Sequence, residues 1–373
     1  MGYTESRAGG VASSSSEAAA NSLTRHRRAR IPCLATYQLD TGAFYECASS
    51  SSKYHLHGKP TLHTLASAKL GTMFETFESF TVKTETDPTI EIFGRISKNA
   101  DSQLPPVLML HGFPQSHHIW HRVTEQLVQR YSIVLIDIRG YGASSKPSEL
   151  HHYAKSAMAK DCISVMDSLG FTDHFFVCGH DRGARVAHKL CVDFPSRVQS
   201  AMLLDICPTL AMYTATDQRF ASAYFHWFFL TQPEPLPETM INGCPRHFGE
   251  FCLGVADDGK NRGIYDQSCL DYYLSTMEHP ETVHAMCQDY RASATLDLDE
   301  ARDDLNKERL ICCPLRVLWG DQGVIEKCFD ALQEWRAVTA KSVVVDGHSV
   351  KSGHFIPEAA PDDVVSNILD FFK

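Results

Sequence analysis

One side chain in this sequence stands where a nucleophile would. In Val177-Cys-Gly179-His180-Asp181-Arg182-Gly183-Ala184-Arg185, two glycines flank Asp181. Phe175–Cys178 before it reads as a buried strand, and Arg182–Phe194 after it has helical spacing. A tight strand-to-helix turn needs small residues on both sides, and it lifts the central side chain above the sheet edge beside a helix N-terminus. At such turns ester hydrolases carry serine; here the group is a carboxylate. Serine attacking saturated carbon would leave an ether, which water removes poorly. Aspartate leaves an ester, which water hydrolyses. The residues therefore indicate displacement at saturated carbon, in an alkyl halide or an epoxide.

Partners for that chemistry lie elsewhere in the chain. Leu110-His111-Gly112-Phe113-Pro114 directly follows a strand, so the backbone N–H groups of Phe113 and Arg182 are candidate oxyanion donors. A general base near neutral pH is most naturally histidine. With 19 His in the chain, position decides: His354, in Ser352-Gly-His-Phe355, follows the last strand, and His348 is the fallback. Two carboxylates could orient it. Asp205 ends the strand Ala201–Asp205 and Asp321 follows Leu315–Trp319; spacing does not choose between them. Arg182 and Arg185 share one face of the helix after the nucleophile. Two guanidiniums there suit a carboxylate substrate through forked, charge-assisted hydrogen bonds, and they would keep Asp181 ionised.

Short apolar strands alternating with helices must hold these groups. Phe74–Thr84 and Thr89–Ile96 are expected as a hairpin, and Pro106–Leu110 and Ser132–Asp137 as buried strands. Ile119–Gln129, Tyr153–Leu169 and Pro361–Phe372 have helical spacing, and a last strand is expected at Ser342–Val345. The pattern indicates an α/β fold with a doubly wound, mostly parallel sheet. A stretch from Ile206 to Lys307 is too long for a loop and reads as an inserted helical cap over the carboxyl ends of the strands. The expected division is 74–207 with 308–373 as core, 208–307 as cap, and 1–73 as a Ser-rich, disordered or targeting extension. That extension is acid-poor, so a mitochondrial address is an alternative to a cytoplasmic one.

Composition sets the outer bounds. The chain has 373 residues, 43% hydrophobic and 21% charged, enough apolar material for a large core. A net charge of −10 gives no footprint for nucleic acid, and no apolar run is long enough to span a bilayer. Residues 1–60 are net positive, so the rest is more acidic still, and an anionic substrate would need local cations. The 13 Cys, spread singly and without a CxxC pair, read as reduced core thiols rather than as disulfides or a metal site.

With these motifs assembled, the sequence resembles the α/β-hydrolase superfamily and, within it, the haloacetate (fluoroacetate) dehalogenases. The resemblance runs from about Phe74 to Lys373. It rests on His111-Gly-Phe-Pro-Gln115, Arg139-Gly-Tyr-Gly142 with Ser145-Lys-Pro147, the Asp181 turn, and Leu204-Asp-Ile206. His226-Trp-Phe-Phe229, Asp289-Tyr-Arg-Ala292 and Ser352-Gly-His-Phe355 complete it. It implies an eight-stranded sheet with a helical cap, Asp181 as nucleophile, His354 as base and Asp205 as its orienting acid. It further implies Arg182 and Arg185 as the substrate-carboxylate site and His226, Trp227 and Tyr290 as the halide site. The partners it implies are a small anionic haloacid and water, with no cofactor or metal and a homodimeric assembly. Two other readings compete. An epoxide hydrolase would need cap tyrosines over Asp181, for which Tyr213, Tyr224 and Tyr290 are available. A non-enzymatic ligand-binding relative commonly lacks the nucleophile or the base, and both are present here.

Overall fold

Residues 73–100, 103–256, 259 and 261–373 are described by a computed structural model. The expected extension, apart from Met73, lies outside the described residues. Eight strands form one sheet: β1 (Phe77–Thr86), β2 (Thr89–Ser97), β3 (Pro106–Leu110), β4 (Ser132–Ile136), β5 (Phe175–His180), β6 (Val198–Leu204), β7 (Leu315–Gly320) and β8 (Val345–Val350). Their order is β1-β2-β4-β3-β5-β6-β7-β8. The hairpin β1–β2 joins β4 antiparallel, and every pairing from β4 to β8 is parallel.

The central strands are apolar on both faces because helices cover both. In β3, Leu108 and Leu110 pack with Val177, Met158 and Leu190 on one side. Val107 and Met109 pack with Phe176, Ile133, Val364 and Ile368 on the other. The alternation of side chains along each strand thus feeds two separate cores. Helices Lys155–Ser168 and Arg182–Asp193 lie over the first face and Pro361–Phe371 over the second.

Between β6 and β7 the chain runs through a series of helices, from Thr209–Thr214 to Leu296–Asn306, as the long insertion predicts. Two expected elements differ. Ile119–Gln129 is not one helix: a single 3-10 turn, His117–Trp120, leads into His121–Thr124. Ile119, Val123 and Leu127 still face the core, but beyond Thr124 bonds such as Leu127 N–H to Thr124 O and Arg130 N–H to Leu127 O are of the tighter turn type. The last strand is Val345–Val350, not Ser342–Val345. It is an edge strand, and its exposed His348 and Ser349 break the apolar run that marks the inner strands. Among the described residues no helix is long and apolar enough to cross a membrane.

Candidate active site

The carboxyl ends of β3, β5 and β6 deliver the first groups: Phe113 after β3, Asp181 after β5 and Asp205 after β6. At Asp181 the backbone turns through φ 48° and ψ −115°, a conformation that non-glycine residues rarely hold. Such a residue costs about 1–3 kcal/mol and persists only where its surroundings enforce it. The enforcement is visible in the neighbouring glycines. A Cβ on Gly183 would lie 2.2 Å from the His111 carbonyl oxygen, and one on Gly112 would lie 2.6 Å from Asp181 Oδ1. Only without these side chains can the loop after β3 approach the turn. The approach lets the Phe113 amide donate to Asp181 Oδ1 at 2.9 Å. The amide of Arg182, the first residue of its helix, belongs to the set of N–H groups that a helix leaves unpaired at its start.

His354 joins the two carboxylates. Its Nδ1 is 2.6 Å from Asp205 Oδ2, and its Nε2 is 3.8 Å from Asp181 Oδ2. Asp205 is itself held, its Oδ1 accepting the Gly320 amide at 2.9 Å. Asp321 is exposed and accepts from the Ser352 amide instead, so of the two candidate acids only Asp205 reaches the histidine. His348, the fallback base, is exposed on β8. Two further groups touch His354. The Tyr224 hydroxyl is 3.2 Å from Nδ1, and His180 Nε2 is 2.8 Å from the His354 carbonyl oxygen.

The electrostatics keep Asp181 ionised and stabilise the protonated form of His354. Burial alone would raise the Asp181 carboxyl, but the charges of His354, His180, Arg182 and Arg185 outweigh it and lower the pKa. Burial would lower His354, yet the hydrogen bond and charge of Asp205, with the charge of Asp181, raise it above 6.5. Burial holds His226 near 3, so it is neutral at physiological pH.

A cavity of about 250 Å³ opens over Asp181, lined by Phe113, Tyr224, His226, Trp227, Tyr290 and His354 among others. The three residues expected to hold a halide converge there. His226 and Tyr290 ring centres are 5.8 Å apart, those of Trp227 and Tyr290 6.3 Å, and Phe113 stacks on His226 at 5.7 Å. Phe251, Cys252, Gly254 and Asn261 also line the cavity. They come from a cap segment with no motif, and sequence reasoning did not single them out.

Both arginines sit behind the cavity wall rather than on it. The Arg182 guanidinium packs on the Tyr290 ring at 4.3 Å and that of Arg185 on the Trp227 ring at 4.6 Å. Each is fully buried. Arg182 is bound by Asp289, and Arg185 donates to the Cys207 carbonyl and the Thr209 hydroxyl. Arg182 Nη1, Arg185 Nε and the Tyr213 hydroxyl are buried without a hydrogen-bond partner among the described residues. Buried N–H and O–H groups rarely remain unpaired, and each costs about 1–3 kcal/mol when they do.

A profile of the alpha/beta hydrolase fold family matches residues 105–242. A fluoroacetate dehalogenase from Burkholderia sp. is 38% identical over 273 residues, covering 72% of this chain and 87% of that protein. The chain belongs to the fluoroacetate dehalogenase family of α/β hydrolases. Similarity extends to other members of the superfamily. A soluble epoxide hydrolase from Corynebacterium sp. (strain C12) is 27% identical, covering 72% of this hydrolase and 90% of its own length. The crystal structure of an α/β hydrolase from Nostoc sp. PCC 7120 superposes with a TM-score of 0.74 at 42% identity, covering 80% of this hydrolase and 99% of that chain.

Away from the cavity, Glu234, Glu238 and His284 of this hydrolase bring ligand atoms within 4.8 Å of one another. Arg291 already neutralises Glu238 through a bidentate pair, which leaves little charge for a cation.

Proposed function

We propose that this hydrolase is a haloacetate dehalogenase that converts a haloacetate and water to glycolate, halide and a proton. The observation that carries the reading is the pair of buried guanidiniums beside Asp181, each with an N–H unpartnered among the described residues and each stacked on a ring of the cavity wall. A small carboxylate that reached them past the Tyr290 and Trp227 rings would satisfy them.

The two oxygens of Asp181 have different tasks in this reading. Oδ1 is held by the Phe113 amide, so Oδ2 attacks the carbon bearing the halogen and the carbon–halogen bond breaks in line. The halide departs toward the N–H and O–H groups of His226, Trp227 and Tyr290. Fluoride, a poor leaving group, has the greatest need of them. Neutral His354 then takes a proton from water, which attacks Cγ of the ester. Phe113 and Arg182 amides hold the oxyanion, and Asp205 stabilises the imidazolium until the ester bond breaks and glycolate leaves.

An epoxide hydrolase is the second reading, favoured by Tyr224 and Tyr290, which both line the cavity over Asp181 and are donors for an epoxide oxygen. A buried pair of cations has no use there. Halide release from fluoroacetate and chloroacetate, measured beside diol formation from styrene oxide, separates the two. Release from the acids alone supports the dehalogenase; diol formation alone supports the second reading.

A further inference from the structure

Arg182 and Arg185 stand in opposite electrostatic situations. Arg182 Nε donates to Asp289 Oδ2 at 2.8 Å, and Nη2 donates to Oδ1 and to the main-chain oxygen of the same residue, each at 2.8 Å. Nη2 also meets Ser293 Oγ at 2.5 Å. Asp289 in turn accepts from the Tyr141 hydroxyl at 2.7 Å and from Lys155 Nζ at 2.5 Å, and Lys155 lies 3.2 Å from Asp297. The side chains of Arg182, Asp289, Lys155 and Asp297 are all at least nine-tenths buried. Two cations and two carboxylates make this network neutral. Arg185, by contrast, has a carbonyl, a hydroxyl and the Met212 sulfur as partners, and no carboxylate bonded to it among the described residues.

We infer that Asp289 is a positioning residue: it locks the plane of the Arg182 guanidinium, cancels its charge, and leaves Arg185 as the cation that attracts the substrate. The inference rests on the haloacetate reading and deepens it, because it divides the carboxylate site into an orienting arginine and a charge-bearing one. The fork explains the division. With Nε and Nη2 committed to Asp289 and Ser293, Nη1 is what Arg182 has left for a ligand, and its direction is set by a rigid bidentate pair. Asp289 directly precedes Tyr290 on helix Pro280–Ala294, so the contact that aims Arg182 also anchors the ring on which it lies. An in-line displacement depends on such alignment, since small misplacements cost large factors in rate.

The test is Asp289→Asn, assayed for kcat and KM with chloroacetate and for competitive inhibition by acetate. The network then carries one net positive charge on a loosened guanidinium. The expected result is a kcat at least tenfold lower with KM unchanged or lower, and acetate bound severalfold more tightly. Adding Lys155→Met restores neutrality, so acetate affinity should return to the wild-type value while kcat stays low. A merely structural role would lower kcat in step with the folded fraction and leave the acetate constant unmoved. That result overturns the inference, as does a raised KM with wild-type kcat. Should Asp289→Asn fail to fold, Ser293→Ala removes one acceptor of the fork without changing charge; a severalfold drop in kcat at constant KM supports the inference and an unchanged kcat overturns it. A wild type that neither releases chloride nor binds acetate removes the haloacetate reading itself, and the inference with it.

Discussion

His354 Nδ1 lies 2.6 Å from Asp205 Oδ2, although the two residues are 149 positions apart and belong to different crossovers of the sheet. A carboxylate there fixes the tautomer that leaves Nε2 free to take a proton. Asp205→Asn should therefore lower kcat by a factor on the order of 10⁴, as the same change does in a Ser-His-Asp triad. Asp321→Asn, at a side chain that accepts from the Ser352 amide rather than from His354, should stay within a few-fold of the wild type. Steady-state halide release from both variants checks the order.

Division of labour between attack and hydrolysis predicts a trapped ester. Asp181→Asn should abolish turnover, whereas His354→Asn should react once and stop. Intact-mass measurement after addition of chloroacetate should find the adduct on the second variant and none on the first. Sustained turnover by His354→Asn at the wild-type rate would remove histidine from the base role.

Activity should rise with pH through the ionisation of His354. The base works neutral in ester hydrolysis, and in the free enzyme Asp205 and Asp181 raise its pKa, so where hydrolysis limits turnover kcat should fall on the acidic side. Asp181 is lowered and adds no limb near neutrality. Esterification removes the Asp181 charge, one of the causes of the rise. The limb of kcat should accordingly sit at lower pH than the titration of His354 in the free enzyme. A pH profile in which the two coincide would contradict this coupling.

Substrate charge should be read by the arginines. A hydrogen bond to a charged group contributes about 1.5–3 kcal/mol, and about 1.4 kcal/mol is tenfold in rate. Arg185→Met should thus lower kcat/KM for chloroacetate at least tenfold. Arg185→Lys should not restore it fully, since lysine lacks the planar fork. Chloroacetamide should be a poor substrate of the wild type and lose much less in either variant. Equal wild-type rates on the acid and the amide would mean that the guanidiniums do not bind the carboxylate.

Stability should depend on a carboxyl outside the reaction. Glu358 is buried, with Oε1 accepting from the Tyr273 hydroxyl at 2.9 Å and from Gln115 Nε2 at 3.2 Å. Burial pushes its pKa up to about 8 against an ordinary 4.5, despite the opposing effects of Tyr273 and Arg122. A folded pKa raised above the unfolded one favours the fold at low pH and costs stability as pH rises through that interval. Glu358→Gln keeps an acceptor but cannot ionise. Its melting temperature should exceed that of the wild type at pH 8, and the advantage should vanish below pH 4.5.

The chemistry-bearing turn was legible in the sequence because everything it needs is local. Two glycines, a preceding apolar run and a following helical pattern place Asp181, and the choice of carboxylate over hydroxyl is what the proposed displacement at saturated carbon starts from. The central strands were legible for a related reason: burial on both faces requires continuous apolar runs, as in Pro106–Leu110 and Ser132–Ile136. The edge strand Val345–Val350 was not, because one open edge tolerates polar residues. What only the tertiary structure decided are contacts between distant elements. Spacing left Asp205 and Asp321 equivalent; the paths of β6, β7 and the loop after β8 bring His354 to one and not the other. Sequence put Arg182 and Arg185 on one helix face and so made them alike. Their difference comes from Asp289, which lies 107 positions from Arg182 and reaches it only when the cap folds back over the sheet. A helical pattern states which side chains share a face, but which counter-charge meets that face depends on how the chain returns.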